Sequence, residues 1–202
     1  MSEKVLSAKA EARIEAQRER ILAAAQECFI DHGFHGASMA SIAETAGMSA
    51  GLIYRYFENK NAIILAIVER QLELLRNDIQ LNRRVDLPAE LIHNYGRSCV
   101  HDGRGMNAAL LLEMSAEATR DPQIAAALDH FDATLRGALQ DWLSRSREAG
   151  GHGLPAELVP ARALMLQCLV EGLKVRETRE PGLDRALLSA ALHEFVPLLL
   201  KP

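Results

Sequence analysis

An all-α protein of about nine helices is what this sequence predicts, on three observations. Alanine and leucine dominate the 202 residues, while aromatics make up only 4%, a balance that favours helix. Apolar residues recur three and four apart in stretches separated by glycine and proline. No convincing run of alternating β-branched residues competes with them. A 49% hydrophobic content over this length suffices for one sizeable core, or for a small domain plus a larger one.

Taken in order, residues 1–10 read as a mobile, solvated arm. Residues 11–32 form a first long helix with Ile14, Ile21, Leu22, Ala25, Phe29 and Ile30 as its apolar stripe. Gly33 ends it, and Phe34 plugs the core beside it. Asn59 suits the cap of a helix from about Lys60 to Leu81, with Ile63, Ile64, Ile67, Val68, Leu72 and Leu75 facing inward. Pro88 opens the next helix, where a missing N–H costs nothing, and this helix extends to about His101. After Asp102-Gly103-Arg104-Gly105, a helix runs from about Met106 to Thr119. Asp121-Pro122 is an N-cap followed by proline, opening a helix to about Ala149. Gly150-Gly151-His152-Gly153 reads as a flexible loop. Pro155 and Pro160 start a helix that carries Leu164, Leu169 and Leu173. A last helix covers about Leu183–Leu200, with Leu187, Leu188, Leu192 and Phe195 on its apolar face and Pro197 kinking or ending it. No repeat and no low-complexity segment interrupts this order.

Cys28, Cys99 and Cys168 are far apart, odd in number and without metal-ligand spacing, so each reads as a reduced, buried small hydrophobe. The seven histidines show no His-x-x-x-His pair, and no nucleophile motif stands out, so the sequence points to no catalytic residue, no metal site and no cofactor. The N-terminal segment holds no apolar signal core. No apolar run reaches the roughly 18 residues that a bilayer requires, so the expected compartment is the cytoplasm. The net charge is −4, and residues 1–60 hold seven Lys/Arg against eight Asp/Glu. Bulk charge therefore argues for no nucleic-acid partner, and any such case must rest on where particular groups sit.

Residues 38–60 make that case. Ser38 suits an N-cap. Ile42, Ala43 and Ala46 then fall on one helical face, and Gly47 follows as a left-handed C′ residue would. Ser49 caps a second helix, in which Ile53 and Phe57 turn inward with Met48. The opposite face carries Ala50, Gly51, Tyr54 and Arg55: small residues for close approach, then a phenol and a guanidinium that reach further. A recognition helix for the DNA major groove is built in this way.

The segment Ile42-Ala43-x-x-Ala46-Gly47-Met48-Ser49-x-Gly51-x-Ile53-Tyr54-x-Tyr56-Phe57-x-Asn59-Lys60 closely resembles the signature of TetR-family transcriptional repressors. The resemblance starts near Ile21-Leu22-x-Ala24-Ala25 and covers roughly a fifth of the chain; the remainder agrees in length, helicity and layout. It implies a three-helix helix-turn-helix domain over residues 1–58 and a larger helical effector-binding and dimerisation domain over 59–202. On the DNA side, Ser38, Ser49, Tyr54, Tyr56 and Lys60 would position the protein on phosphates. Lys60 would do so from the start of its helix, where free N–H groups favour an anion. Arg55, with Ala50, Gly51 and Leu52, would face base edges. Many members carry a lysine where this chain has Ala50, which shifts recognition toward bridging water and DNA shape. Lys4 and Lys9 of the arm suit phosphates or a minor groove.

The resemblance further implies a homodimer through the last two helices, with Ala161, Cys168, Gly172, Ala186, Ala190 and Ala191 allowing close approach, on a palindromic double-stranded operator. It implies a small-molecule effector among the fifth to eighth helices, lined from His93, Tyr95, Cys99, Met106, Leu110, Met114, Phe131, Leu135, Trp142 and Met165. Binding would favour a dimer with the wrong spacing between reading helices, the helix after Asn59 acting as the lever. The implied function is a DNA-binding transcriptional repressor, not an enzyme, released by its effector. An activator of the same fold and a helical scaffold without DNA binding are the alternatives.

Overall fold

The computed structural model describes residues 2–79, 86–96 and 107–201, apart from the side chains of 2–8, 10 and 75–79. Among these residues all regular structure is helical. The order is α1 (Ser2–Gly36), α2 (Met39–Ala46), α3 (Ala50–Tyr54), α4 (Lys60–Ile79), α5 (Leu87–Asn94), α6 (Ala108–Ala118), α7 (Pro122–Ser144), α8 (Val159–Arg179) and α9 (Arg185–Leu200).

Three apolar clusters organise them. The first joins Ile21, Ala25 and Phe29 of α1 to Ile42 and Ala46 of α2, Ile53 of α3, and Ile63, Ile64 and Ile67 of α4. It does not stop at that head. Leu110 and Met114 of α6 and Ile124 of α7 belong to the same cluster, so the two regions share one core. The second cluster holds Leu143, Leu154, Val159, Ala163 and Leu166 at the far end of α7. The third packs α5 on α9 through Tyr95, Leu188, Leu192 and Val196.

Polar ties reinforce the shared core. Glu113, Glu117 and Asp121 lie four apart, one helical face's spacing. The N–H of Phe34 donates to Glu113 Oε2 at 2.7 Å. His35 Nε2 lies 2.8 Å from Glu117 Oε1, and Asn61 Nδ2 donates to Asp121 Oδ2. Thus α6 and the cap of α7 grip both α1 and α4.

Several sequence expectations are corrected. The residues read as an arm lie on α1, which is helical from Ser2. Ile14 is exposed: burial along α1 begins at Ile21, where the other helices cover it. The helix expected over Pro88–His101 ends at Asn94, because Tyr95 leaves the helical backbone and Gly96 turns at φ 73°. The Tyr95 hydroxyl then donates to Glu180 O at 3.0 Å, and Arg185 Nη2 donates to Tyr95 O at 3.0 Å. Helix α7 ends at Ser144, not near Ala149, and the glycine loop folds back on it. Pro155 belongs to a turn before α8, with Leu158 N–H donating to its carbonyl at 2.9 Å. Pro197 does not end α9, which continues to Leu200. Cys28 is buried, 3.3 Å from Thr45 Oγ1, but Cys168 is exposed on the single chain. Cys99 lies outside the described residues.

Replacing Phe29 by alanine tests the shared core. Phe29 is buried with its ring centroid 5.4 Å from that of Phe34. Urea unfolding followed by circular dichroism is expected to show a loss of about 3–5 kcal/mol. A loss of only about 0.5 kcal/mol, the size of a surface change, would contradict this packing.

Candidate nucleic-acid interface

The α2–α3 unit is fixed at both helix starts and at the turn. Ser38 caps α2 by accepting the Ser41 N–H at 3.0 Å, and Ser41 Oγ accepts the Ser38 N–H at 2.8 Å, a reciprocal capping box. Gly47 ends α2 at φ 60°, ψ 41°, a left-handed conformation that glycine adopts without a Cβ penalty. A Cβ there would also sit 2.8 Å from Arg20 Nη2. Arg20 itself donates to Gly47 O at 3.4 Å, and the Arg18 guanidinium lies over the Phe57 ring at 4.7 Å. These two arginines of α1 brace the turn and the end of the reading unit. Nothing in the sequence singles them out, because they read as solvated charges on a long helix.

Ser49 caps α3 by accepting the Leu52 N–H at 3.3 Å. Burial of Ile53 and Phe57, with Met48 half-buried against the same cluster, sets the rotation of α3. Its outward side then carries Ser49, Gly51, Tyr54 and Arg55, all exposed, as is Ser38 at the start of α2. Tyr54 keeps 56% of its surface, and nothing lies within 4 Å of a Cβ built on Gly51. A backbone can approach closely there while a phenol and a guanidinium reach past it.

Other residues predicted for this face are placed differently. Ala50 and Tyr56 are half-buried against the head core, and Leu52 is half-buried. Ala50 and Leu52 flank the exposed Gly51 on α3, and Tyr56 lies past its end. Lys60 is the clearest correction. Its ammonium donates to Phe34 O at 2.7 Å and to Ala37 O at 2.6 Å, and it lies 4.6 Å from the Phe34 ring centroid. Those carbonyls sit at the C-terminal end of α1, where the helix dipole favours a cation. With two of three ammonium donors used internally, the side chain holds the α1–α2 junction in place of the expected outward reach to a phosphate.

The predicted effector-lining residues that the structure describes fall in several places. Leu110 and Met114 are interior to the shared core, and Phe131 packs against it. Tyr95 lies in the α5–α9 cluster. Leu135 is half-buried, while His93 and Met165 are exposed. Cys99 and Met106 lie outside the described residues. Of the ten, Trp142 lines a cleft of about 530 Å³ between the α7–α8 loop and the end of α9. The six small residues assigned to a dimer face, Ala161, Cys168, Gly172, Ala186, Ala190 and Ala191, are all exposed. Beside them Leu164, Met165, Leu187, Phe195 and Leu198 are large apolar side chains left open to solvent.

Comparison with known proteins adds an independent line. The description "Bacterial regulatory proteins, tetR family" matches residues 21–67. "BetI-type transcriptional repressor, C-terminal" matches residues 96–201, more than half of the chain. The HTH-type transcriptional regulator UidR of Escherichia coli (strain K12) is 40% identical over 122 residues, 58% of this chain and 60% of UidR. The HTH-type transcriptional activator FasR of Mycolicibacterium smegmatis is 27% identical over 144 residues, 67% of this chain and 63% of FasR. The chain thus spans about three fifths of the length of the curated relatives it matches. The structure of Salmonella enterica GusR superposes with a TM-score of 0.74 at 25% identity, over 92% of this chain and 95% of that one.

Lys60→Met separates an internal role from a phosphate contact. The structure leads us to expect a stability loss of about 1–3 kcal/mol from two carbonyls left without their donor, with the salt dependence of duplex binding unchanged. A phosphate contact would instead leave stability alone and lower the slope of log K against log salt by about 0.9.

Proposed function

The chain belongs to the TetR family of bacterial regulatory proteins, and from that premise we propose that it is a transcriptional repressor that binds a palindromic operator as a homodimer and releases it when a small molecule binds. The observation that carries this reading is the outward side of α3, where Tyr54 and Arg55 stand exposed beside Gly51 on a doubly capped helix pair. Arg55 would grip guanine O6 and N7, with Tyr54, Ser38 and Ser49 on phosphates. A helix of five residues reads few base pairs, so selectivity requires a second copy across a two-fold axis.

The exposed apolar face of α8 and α9 supports the dimer. Leu187 keeps 62% and Phe195 59% of their surface, and several large apolar side chains left open on two neighbouring helices suit an interaction site. Residues 1–58 would act as the reading domain and 59–202 as the effector and dimerisation domain. The shared core and the Glu113, Glu117 and Asp121 ties would carry a shift from α6 and α7 to the reading unit. Such a shift is limited by the effector's differential affinity for the two states. A cytoplasmic location fits a partner that is DNA, and no helix among the described residues is long and apolar enough to cross a membrane.

The repressor reading draws on the BetI-type match. An activator of the same fold is the second reading, because FasR, 27% identical, is named as an activator. A reporter gene under the recovered operator decides the sign of regulation.

Enrichment of random duplexes against the full chain is the direct test, with a palindrome as the expected product. Arg55→Ala should weaken that duplex by about 1–3 kcal/mol and relax selectivity at one position per half-site. Recovery of no duplex at any salt by a folded dimer would end the regulator reading. For the dimer, Leu187→Glu with Phe195→Glu should halve the mass seen in sedimentation and abolish operator binding. A wild-type chain that sediments as a monomer would remove the two-fold element.

A further inference from the structure

The Trp142 cleft combines features that the proposed regulator role does not use. Its volume of about 530 Å³ lies within the range of about 300–1,000 Å³ usual for small-molecule sites. Trp142, Pro197 and Leu200 give it an apolar wall, Arg147 and Lys201 give it two cations, and His152 completes it. Among the described residues no Asp or Glu side chain lines it. Among the described residues neither Arg147 nor Lys201 takes part in an ion pair.

The loop that forms one wall is held in place. Gly151 N–H donates to Ser146 O at 2.9 Å, Gly153 N–H to Arg145 O at 2.8 Å and Leu154 N–H to Leu143 O at 3.0 Å. A Cβ on Gly151 would come within 2.2 Å of Arg145 O, so glycine is required for the loop to fold back this tightly. His152 meets Trp142 edge-on, with ring centroids 4.5 Å apart at 82°. Arg147 Nε donates to His152 O at 3.5 Å, which points the guanidinium along the loop. Burial, and then the Arg147 charge, hold the His152 pKa below its ordinary value. At neutral pH the imidazole is therefore uncharged, and the positive charge of the cleft comes from Arg147 and Lys201.

We infer that this cleft binds a small organic anion with a flat apolar body, the body against Trp142 and the carboxylate between Arg147 and Lys201. A guanidinium matches a planar carboxylate with two parallel N–H donors, and the indole offers a large apolar surface with a polar edge. A neutral apolar compound would offer neither cation a counter-charge. An isolated inorganic anion would leave the Trp142 wall unused. The cleft lies about 27 Å along α7 from Ile124 of the shared core, at 1.5 Å per residue, so one helix joins the two. That the anion controls DNA release rests on the regulator reading above; that it binds here does not.

The chain contains a single tryptophan, so tryptophan fluorescence comes from Trp142, which lines this cleft. Titration of the full chain with benzoate, against benzamide as its neutral counterpart, tests the inference. Benzoate should change the emission saturably and bind at least about tenfold more tightly than benzamide, the discrimination expected of charge-assisted hydrogen bonds. Arg147→Gln and Lys201→Gln, each with unchanged helical circular dichroism, should each weaken benzoate about tenfold, while Arg147→Lys should retain part of the affinity. An absent or unsaturable response, an equal response to benzamide, or indifference to both Gln variants would overturn the site. Benzoate that binds without altering affinity for the enriched duplex upholds the cleft and removes its effector role. Failure to enrich any duplex removes the regulator reading and leaves the cleft standing.

Discussion

The break in α1 at Gly33 is the constraint on which the rest of the molecule depends. Gly33 sits at φ 71°, ψ 165°, outside the reach of ordinary side chains, and a Cβ there would also press on the Glu113 carboxylate at 3.3 Å. The break turns Phe34 into the core and frees its N–H for Glu113 of α6. It presents the carbonyls of Phe34 and Ala37 to Lys60 at the start of α4. Two oppositely charged side chains, from two different helices, thus complete the hydrogen bonding of one short junction. An unmade bond at such a buried position costs more than the bond gains when made, so the junction fixes where α2 begins relative to α4 and α6.

That geometry bears on regulation. With Leu110, Met114 and Ile124 inside the same cluster as Ile21 and Ile53, the reading unit is not a free module on a tether. A displacement of α6 or α7 moves atoms that touch α1 and α4 directly. Close packing turns such a displacement into a choice between arrangements in place of a gradual deformation. In the proposed mechanism, α4 therefore shares the transmission of the effector signal with α6, through Glu113 and Glu117.

Charge tells a parallel story. A net charge of −4 gives little general attraction for a polyanion, so the proposed recognition rests on Arg55 and Tyr54 and on a two-fold repeat of them. At the opposite end of α7 the Arg147 and Lys201 pair sits in a cleft that no Asp or Glu among the described residues lines. The two surfaces are chemically distinct, and α7 runs from the apolar cluster of one to that of the other.

Local residue order alone sets the helical class, the succession of the helices and the details of the α2–α3 unit. These are local properties: the Ser38 and Ser49 caps, the left-handed Gly47 and the four-residue spacing of Ile53 and Phe57 all act within one or two turns. The end of α5 was not legible, because Tyr95 and Gly96 leave the helix for partners at Glu180 and Arg185, some 90 residues away. The inward reach of Lys60 was not legible for the same reason, since its partners Phe34 and Ala37 come from α1 and the residue after it. Likewise Arg147, His152 and Lys201 are separated along the chain and share a wall only because the glycine loop folds back beside the end of α9. Short-range backbone chemistry is written in the order of residues. Which charges and rings meet across helices is decided by packing, and that exists only once the chain has folded.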